Sequence, residues 1–255
     1  MSFLNKFGIG GSGPSGRTGV GSRDAAHPPS SAKPRPATVA AVASAGSPRA
    51  PEQHVATRVS NGLKEFLWNL DGLGRGTLLD LGPAWQTTLN FFIERGFRVS
   101  SEDILRGWKG FLDEDEARLR EDPTSRETVD MTPDGRAKRF LETNLKYPVA
   151  SFDAVLLWDV FDYLDPVMTK QTIACLTELL RPAGIVFAMF HSKKPEGFQR
   201  YRVADSNTLQ VVPAGIVTPA QKPYQNREIQ DLFRGYRTTK SFVGRDQLRE
   251  TLFIK

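Results

Sequence analysis

The sequence predicts an α/β fold on a doubly wound, mostly parallel seven-stranded sheet with an antiparallel closing strand. Three observations lead there. Short apolar runs, such as Leu78-Leu79, Val155-Leu156-Leu157 and Ile185-Val186-Phe187, lie between turn residues, as strands buried on both faces do. Segments with apolar residues at helical spacing alternate with these runs, which indicates a parallel sheet covered by helices. The last two strand candidates, 237–243 and 249–254, follow one another with no helix between them, so one of the pair runs against the rest.

The first element is an amphipathic helix over 57–70, where Val59, Leu63, Phe66, Leu67 and Leu70 share a face. Gly72 to Gly76 end it, and Thr77 to Leu81 form a strand. Trp85, Leu89, Phe92 and Ile93 line the next helix, Gly96 stops it, and Phe97 to Ser101 form the second strand. A right-handed crossover is expected between the two. From Leu105 to Ala150 the pattern is weakest, with a charged helix around 113–121 and a strand over Arg139-Phe140-Leu141-Glu142. Phe152 to Trp158 is again a buried strand. Asp165 caps a helix that has Pro166 at its first position and Ile173, Leu176 and Leu180 on its inner face. Pro182 and Gly184 close that helix before the strand Ile185 to Phe190. Residues 198–214 alternate as a hairpin with its turn at Asp205-Ser206-Asn207, and a helix near 226–235 precedes the closing strands.

Residues 1–55 are mostly Gly, Ser, Ala and Pro, with almost no large apolar side chain after Phe7. Such a stretch buries too little surface to offset its ordering entropy, so it is expected to be a disordered arm ahead of a domain over 57–255. Two matches to G-x-G-x-x-G, at Gly8–Gly13 and Gly11–Gly16, fall inside it. Neither follows a strand nor opens a helix, the context that gives this pattern meaning. Residues 1–60 hold seven of the 34 Lys and Arg and two of the 29 Asp and Glu, which leaves 27 of each sign for 61–255. The positive excess therefore sits in the arm, and the balanced remainder argues against a nucleic-acid partner. No apolar run reaches the length of a membrane span, and the N-terminus lacks the apolar core of a secretory signal. With Cys175 alone no internal disulfide can form, and the expected location is the cytoplasm. One Cys and one His outside the arm also rule out a Cys/His zinc site there, and no metal is expected. The sequence does not bear on oligomeric state.

In a doubly wound sheet, ligands bind beyond the carboxyl ends of the strands. Three strand ends carry informative residues. Asp80-Leu81-Gly82-Pro83 lets the backbone turn with no side chain beneath a ligand. Glu102-Asp103-Ile104 places acids about 20 residues past a glycine turn, where carboxylates grip a ribose diol. Trp158-Asp159-Val160-Phe161-Asp162-Tyr163 brings two acids and three aromatic side chains to the sheet's mouth, and Asp159 is a catalytic candidate. His191 follows the strand 185–190, where a general base is chemically sensible.

The segments LLDLGPA at 78–84, RVSSEDI at 98–104, NLKYPVASFDAVLLWDVFDYLDP at 144–166 and LLRPAGIVFAMFH at 179–191 resemble, in order and spacing, class I S-adenosylmethionine-dependent methyltransferases of the type 11-like branch. The resemblance covers about 115 residues, 77–191, and residues 227–255 resemble that family's last helix and closing strands. It implies a Rossmann-like methyltransferase fold, S-adenosylmethionine as cofactor and a small-molecule methyl acceptor. By position it sets Asp80 and Gly82 beside the methionine moiety and Asp103 on the ribose hydroxyls, with Glu102 as the alternate register. Asn144 and Leu145 would border the adenine, and Trp158 and Asp159 would approach the sulfonium. The family's glycine loop commonly reads G-x-G-x-G, whereas this chain has Gly82-Pro83-Ala84-Trp85-Gln86. That difference keeps a rival open, a non-catalytic binding or scaffolding protein on the same fold. A nicotinamide-dependent oxidoreductase is disfavoured because no G-x-G-x-x-G follows the first strand. The hairpin at 198–214 is expected to shape acceptor choice.

Overall fold

The computed structural model describes residues 56–122 and 129–255, so the arm expected over 1–55 lies outside the described residues. The strands are β1 (Ala56–Val59), β2 (Thr77–Asp80), β3 (Arg98–Ser101), β4 (Phe152–Trp158), β5 (Leu180–His191), β6 (Gln199–Val203), β7 (Thr208–Pro213), β8 (Thr238–Val243) and β9 (Leu248–Ile254). The helices are α1 (Asn61–Leu70), α2 (Gln86–Ile93), α3 (Ile104–Glu121), α4 (Pro133–Asn144), α5 (Pro166–Leu179) and α6 (Asn226–Leu232).

The main sheet has the order β3-β2-β4-β5-β9-β8. β3, β2, β4 and β5 run parallel, and β9 is antiparallel to both of its neighbours, β5 and β8. The doubly wound α/β architecture with an antiparallel closing strand is thus present. It differs from expectation in two details. The reversed strand β9 lies inside the sheet, with β8 at the edge. The sheet has six strands among the described residues, because the expected strand over 139–142 lies within α4. Thr132 caps α4 by accepting from Gly135 N, Pro133 occupies its first turn, and Phe140 and Leu141 are buried on one helical face. A two-residue apolar pair reads equally well as strand or helix, and here the capped start decides.

Helices cover both faces. Leu63, Phe66 and Leu70 of α1 and Phe91 and Phe92 of α2 pack with Leu78, Leu156 and Phe187 on one side. Ile104, Phe140, Ile173 and Ile229, from α3 to α6, pack with Leu79, Val155 and Val186 on the other. The alternation of these strand residues between two layers is what a sheet buried on both faces requires.

Local periodicity fails at the N-terminal element. Residues 56–59 are a strand paired antiparallel to β7, and the helix starts only at Asn61. Ser60 makes the break by accepting from Leu63 N at 2.9 Å. Val59, placed on the apolar face by its spacing, is exposed. On α2 the buried face is Thr88, Phe91 and Phe92 rather than one including Ile93, which is exposed. Gly96 ends that segment at φ +86°, with Gly74 O 2.8 Å from where a Cβ would stand. Strands β1, β7 and β6 form a second, antiparallel sheet in that order. It belongs to the α1–α2 layer, where Tyr201, Val203 and Leu209 join the apolar core. The side chains of β6 reach Asp103, just past the end of β3, and Trp158 at the end of β4.

Candidate functional site

Asp80 ends β2 almost fully buried. Its Oδ1 accepts two hydrogen bonds, from Gly82 N at 2.9 Å and from Trp158 Nε1 at 2.7 Å. Its Oδ2 is buried and has no hydrogen-bond partner among the described residues. Burial outweighs the two donors and pushes this carboxyl up to about 6. The glycine expected after the strand is a steric necessity. A Cβ on Gly82 would stand 2.7 Å from Trp158 Nε1. Trp158 itself is held at φ +56°, a left-handed conformation that is a genuine outlier for a bulky residue and that turns its indole onto Asp80 and Gly82.

Asp103 starts α3, where its Oδ1 accepts from Arg106 N at 3.3 Å. The same carboxylate pairs with Arg200 of β6, Nη2 lying 2.9 and 3.3 Å from its two oxygens. Only 8% of the Arg200 side chain is exposed, against 22% for Asp103, so the pair is largely withdrawn from water. Tyr201, the next residue, stacks on Trp158 with ring centroids 6.3 Å apart and planes 15° from parallel. Val203 N donates to Thr88 Oγ1 at 3.0 Å, which pins the same strand to α2.

A second group of acids adjoins this one. Asp162 Oδ2 accepts from His191 N at 2.7 Å and lies 2.8 Å from His191 Nδ1. Asp159 Oδ2 is 3.9 Å from the same ring nitrogen and has no hydrogen-bond partner among the described residues. Burial, reinforced by the neighbouring charge of Asp162, pushes Asp159 up to about 7. His191 is raised: burial disfavours its cation, but Asp162 and Asp159 more than compensate. Asp162 Oδ1 and the Tyr163 hydroxyl are also buried and unpartnered among the described residues.

The structure thus brings Asp80, Gly82, Trp158 and Asp103 together at one end of the sheet, with Asp159 and His191 beside them. The other residues assigned by sequence have their side chains engaged elsewhere, although Glu102 N donates to Asp80 O at 2.8 Å. Glu102 Oε1 accepts from Tyr147 OH at 2.8 Å. Asn144 spends its amide on Phe140 O at 2.9 Å, within its own helix. Leu145 is part of the apolar core on the α3–α6 face. The sequence reading missed Arg200 and Tyr201 as site residues. Strand alternation assigns a charged residue to the solvent face, yet Arg200 and Tyr201 are consecutive and both buried, and no local pattern signals a strand covered on both sides.

No helix of the described residues is long and apolar enough to cross a membrane, and no group of three or more His, Cys, Asp or Glu among them could hold a metal ion.

No protein-family model matches the chain, and no curated protein matches it in sequence. Solved structures similar to it include methyltransferases, some of them described as S-adenosylmethionine-dependent. One is the 1,6-didemethyltoxoflavin N1-methyltransferase of Burkholderia thailandensis, with its acceptor and S-adenosylhomocysteine bound, at 15% identity and a TM-score of 0.40 over 77% of this chain and 79% of that one. A methyltransferase of Archaeoglobus fulgidus is 12% identical with a TM-score of 0.42, over 76% of this chain and 91% of that one. The N-methyltransferase NodS of Bradyrhizobium japonicum is 11% identical with a TM-score of 0.37, over 76% and 93%. Likenesses this distant carry no argument about what this chain binds, which rests on its own residues.

Proposed function

We propose that this chain binds S-adenosylmethionine at the carboxyl ends of β2, β3 and β4 and transfers its methyl group to a small-molecule acceptor. The observation that carries this reading is the set of buried carboxylate oxygens without donors among the described residues, Asp80 Oδ2, Asp159 Oδ2 and Asp162 Oδ1. Unpaired buried acceptors are rare and call for an explanation. Four acids, Asp80, Asp103, Asp159 and Asp162, cluster with Arg200 and His191 as their basic partners among the described residues. That surplus of acceptors suits a ligand carrying a sulfonium and an ammonium, so the residues fit the cofactor in their chemistry. Room for it requires Trp158 and Arg200 to move aside.

S-adenosylmethionine, when bound, supplies a methyl group already activated on a positively charged sulfur. Asp103 would take the ribose hydroxyls, with Glu102 as the alternate, and Asn144 and Leu145 would border the adenine. Asp80 and Gly82 would hold the methionine end, with Trp158 and Asp159 towards the sulfur. For an acceptor that must lose a proton, His191 is the candidate base, its Nδ1 fixed by Asp162. Because those acids favour the imidazolium, His191 acts as a base only once pH passes its raised pKa. Asp159, poised near neutrality, can carry a proton beside it. The β6–β7 hairpin lies over this cluster, and Tyr201 and Phe198 are its candidates for acceptor choice.

A second reading, a non-catalytic protein on the same fold, is favoured by one specific arrangement. The Trp158 indole lies against Gly82, and Arg200 occupies Asp103. Incubating the full chain with trideuteromethyl-labelled cofactor and a panel of small hydroxyl, amine and ring-nitrogen compounds separates the two. Labelled product with release of S-adenosylhomocysteine is expected. No product and no S-adenosylhomocysteine above the protein-free control would establish the second reading.

A further inference from the structure

Arg200 is the one arginine of β6 whose guanidinium is almost fully withdrawn from water while its strand neighbour stacks on the tryptophan that covers Gly82. Its partner is the carboxylate assigned to the ribose hydroxyls. The acids around it outnumber the cations, and Arg200 acts electrostatically on Asp80 and Asp159 as well as on Asp103. A guanidinium in that position supplies what a cationic ligand would supply, a positive charge and N–H donors among buried carboxylates.

We propose that Arg200 is an internal stand-in for the cationic cofactor, a latch that holds β6 over the site and that the cofactor must displace from Asp103. This inference rests on the cofactor reading above and adds a competition to it. The buried pair forms one state, in which Arg200 sits on Asp103 and Tyr201 on Trp158. The other state has Asp103 and the face of Gly82 free. Ligand that binds only the second state is weakened by the fraction of molecules in the first. Besides its ladder to β7 and the packing of Tyr201 and Val203 in the apolar core, β6 is held by the Arg200 pair, the Tyr201 stack, the bond from Val203 N to Thr88 Oγ1 and the Arg202 guanidinium, 5.4 Å from the Trp85 ring centroid. Removing the Arg200 guanidinium takes away the salt bridge among these ties and leaves the others in place.

The test compares wild type, Arg200→Gln and Arg200→Lys as full-length chains, each checked for a cooperative thermal transition. Calorimetric titration with S-adenosylhomocysteine and S-adenosylmethionine is run beside hydrogen exchange of the amides of residues 199–213. Arg200→Gln is expected to bind more tightly, on the order of tenfold or more, and to exchange faster in β6 without faster exchange in β4. Arg200→Lys, which keeps the charge, is expected to stay near wild type in both. Equal or weaker binding by Arg200→Gln overturns the latch. If no variant binds, the exchange data still decide: faster exchange confined to β6 keeps the latch and discards the cofactor, whereas unchanged exchange overturns the latch itself.

Discussion

Trp158 donates its indole N–H to Asp80 across the neighbouring parallel strands β4 and β2, and its backbone takes a left-handed conformation. The bond joins the two strand ends that frame the proposed site, and the other oxygen of Asp80 is buried and without a partner among the described residues.

Replacing Trp158 by Phe removes that donor and leaves Gly82 N as the remaining partner of Oδ1. Loss of a donor to a buried carboxylate is expected to cost about 1–3 kcal/mol at pH 8, where the group is ionised. The carboxyl itself should rise further, since the Trp158 bond holds it down. Urea unfolding at pH 8 checks this, and an unchanged midpoint would contradict it.

Stability should fall as pH rises from mild acid through neutrality. Asp80 and Asp159 are raised from 3.8 to about 6 and about 7, so between those limits the folded chain binds more protons than the unfolded one. Their contribution is present below the unfolded value and is lost as pH passes the folded values. His191 is also raised and acts in the same direction, through the range above 6.5. Denaturation midpoints at pH 5 and pH 8 should therefore differ in favour of pH 5, and Asp159→Asn should narrow the gap. A gap of the opposite sign, or one untouched by that substitution, counts against the assignment.

Glu250 of β9 is buried, accepts from Gly62 N at 2.6 Å and pairs with Arg58 of β1, which also bonds Asp246 at 2.7 Å. Glu250→Ala removes the buried one of the two carboxylate partners of Arg58 and strands an N–H at the start of α1. Breaking such a pair typically costs about 3–5 kcal/mol. Guanidinium unfolding should show a loss of that order, and a change within about 0.5 kcal/mol, as at a surface site, would mean the pair is dispensable.

Much of the fold was legible because its signals are local. Leu78-Leu79 and Val155-Leu156-Leu157 read as buried strands without knowledge of their neighbours, and Asp165-Pro166 announced the start of α5, where Asp165 accepts from Val167 N and Met168 N. What escaped depends on distant partners. Residues 56–59 are a strand only because β7 lies beside them. Phe140-Leu141 is helical because of a cap eight residues upstream at Thr132. For the candidate site, the strand-end rule placed Asp80, Asp103 and Asp159 at one end of the sheet, where the structure has them, since chain position alone brings strand ends together. It missed Arg200, which arrives from a separate sheet about 97 residues along from Asp103. It also placed Trp158 at the end of β4 without revealing that its indole would face Asp80, because a positive φ at a tryptophan has no sequence signature.

The central claim is that the acid cluster at the ends of β2, β3 and β4 holds S-adenosylmethionine, and direct titration of the intact chain measures it. Saturable one-site binding of both S-adenosylmethionine and S-adenosylhomocysteine is predicted, with Arg200→Gln tighter than wild type. A flat calorimetric trace up to millimolar ligand, in wild type and in Arg200→Gln alike, with both chains folded, would contradict it.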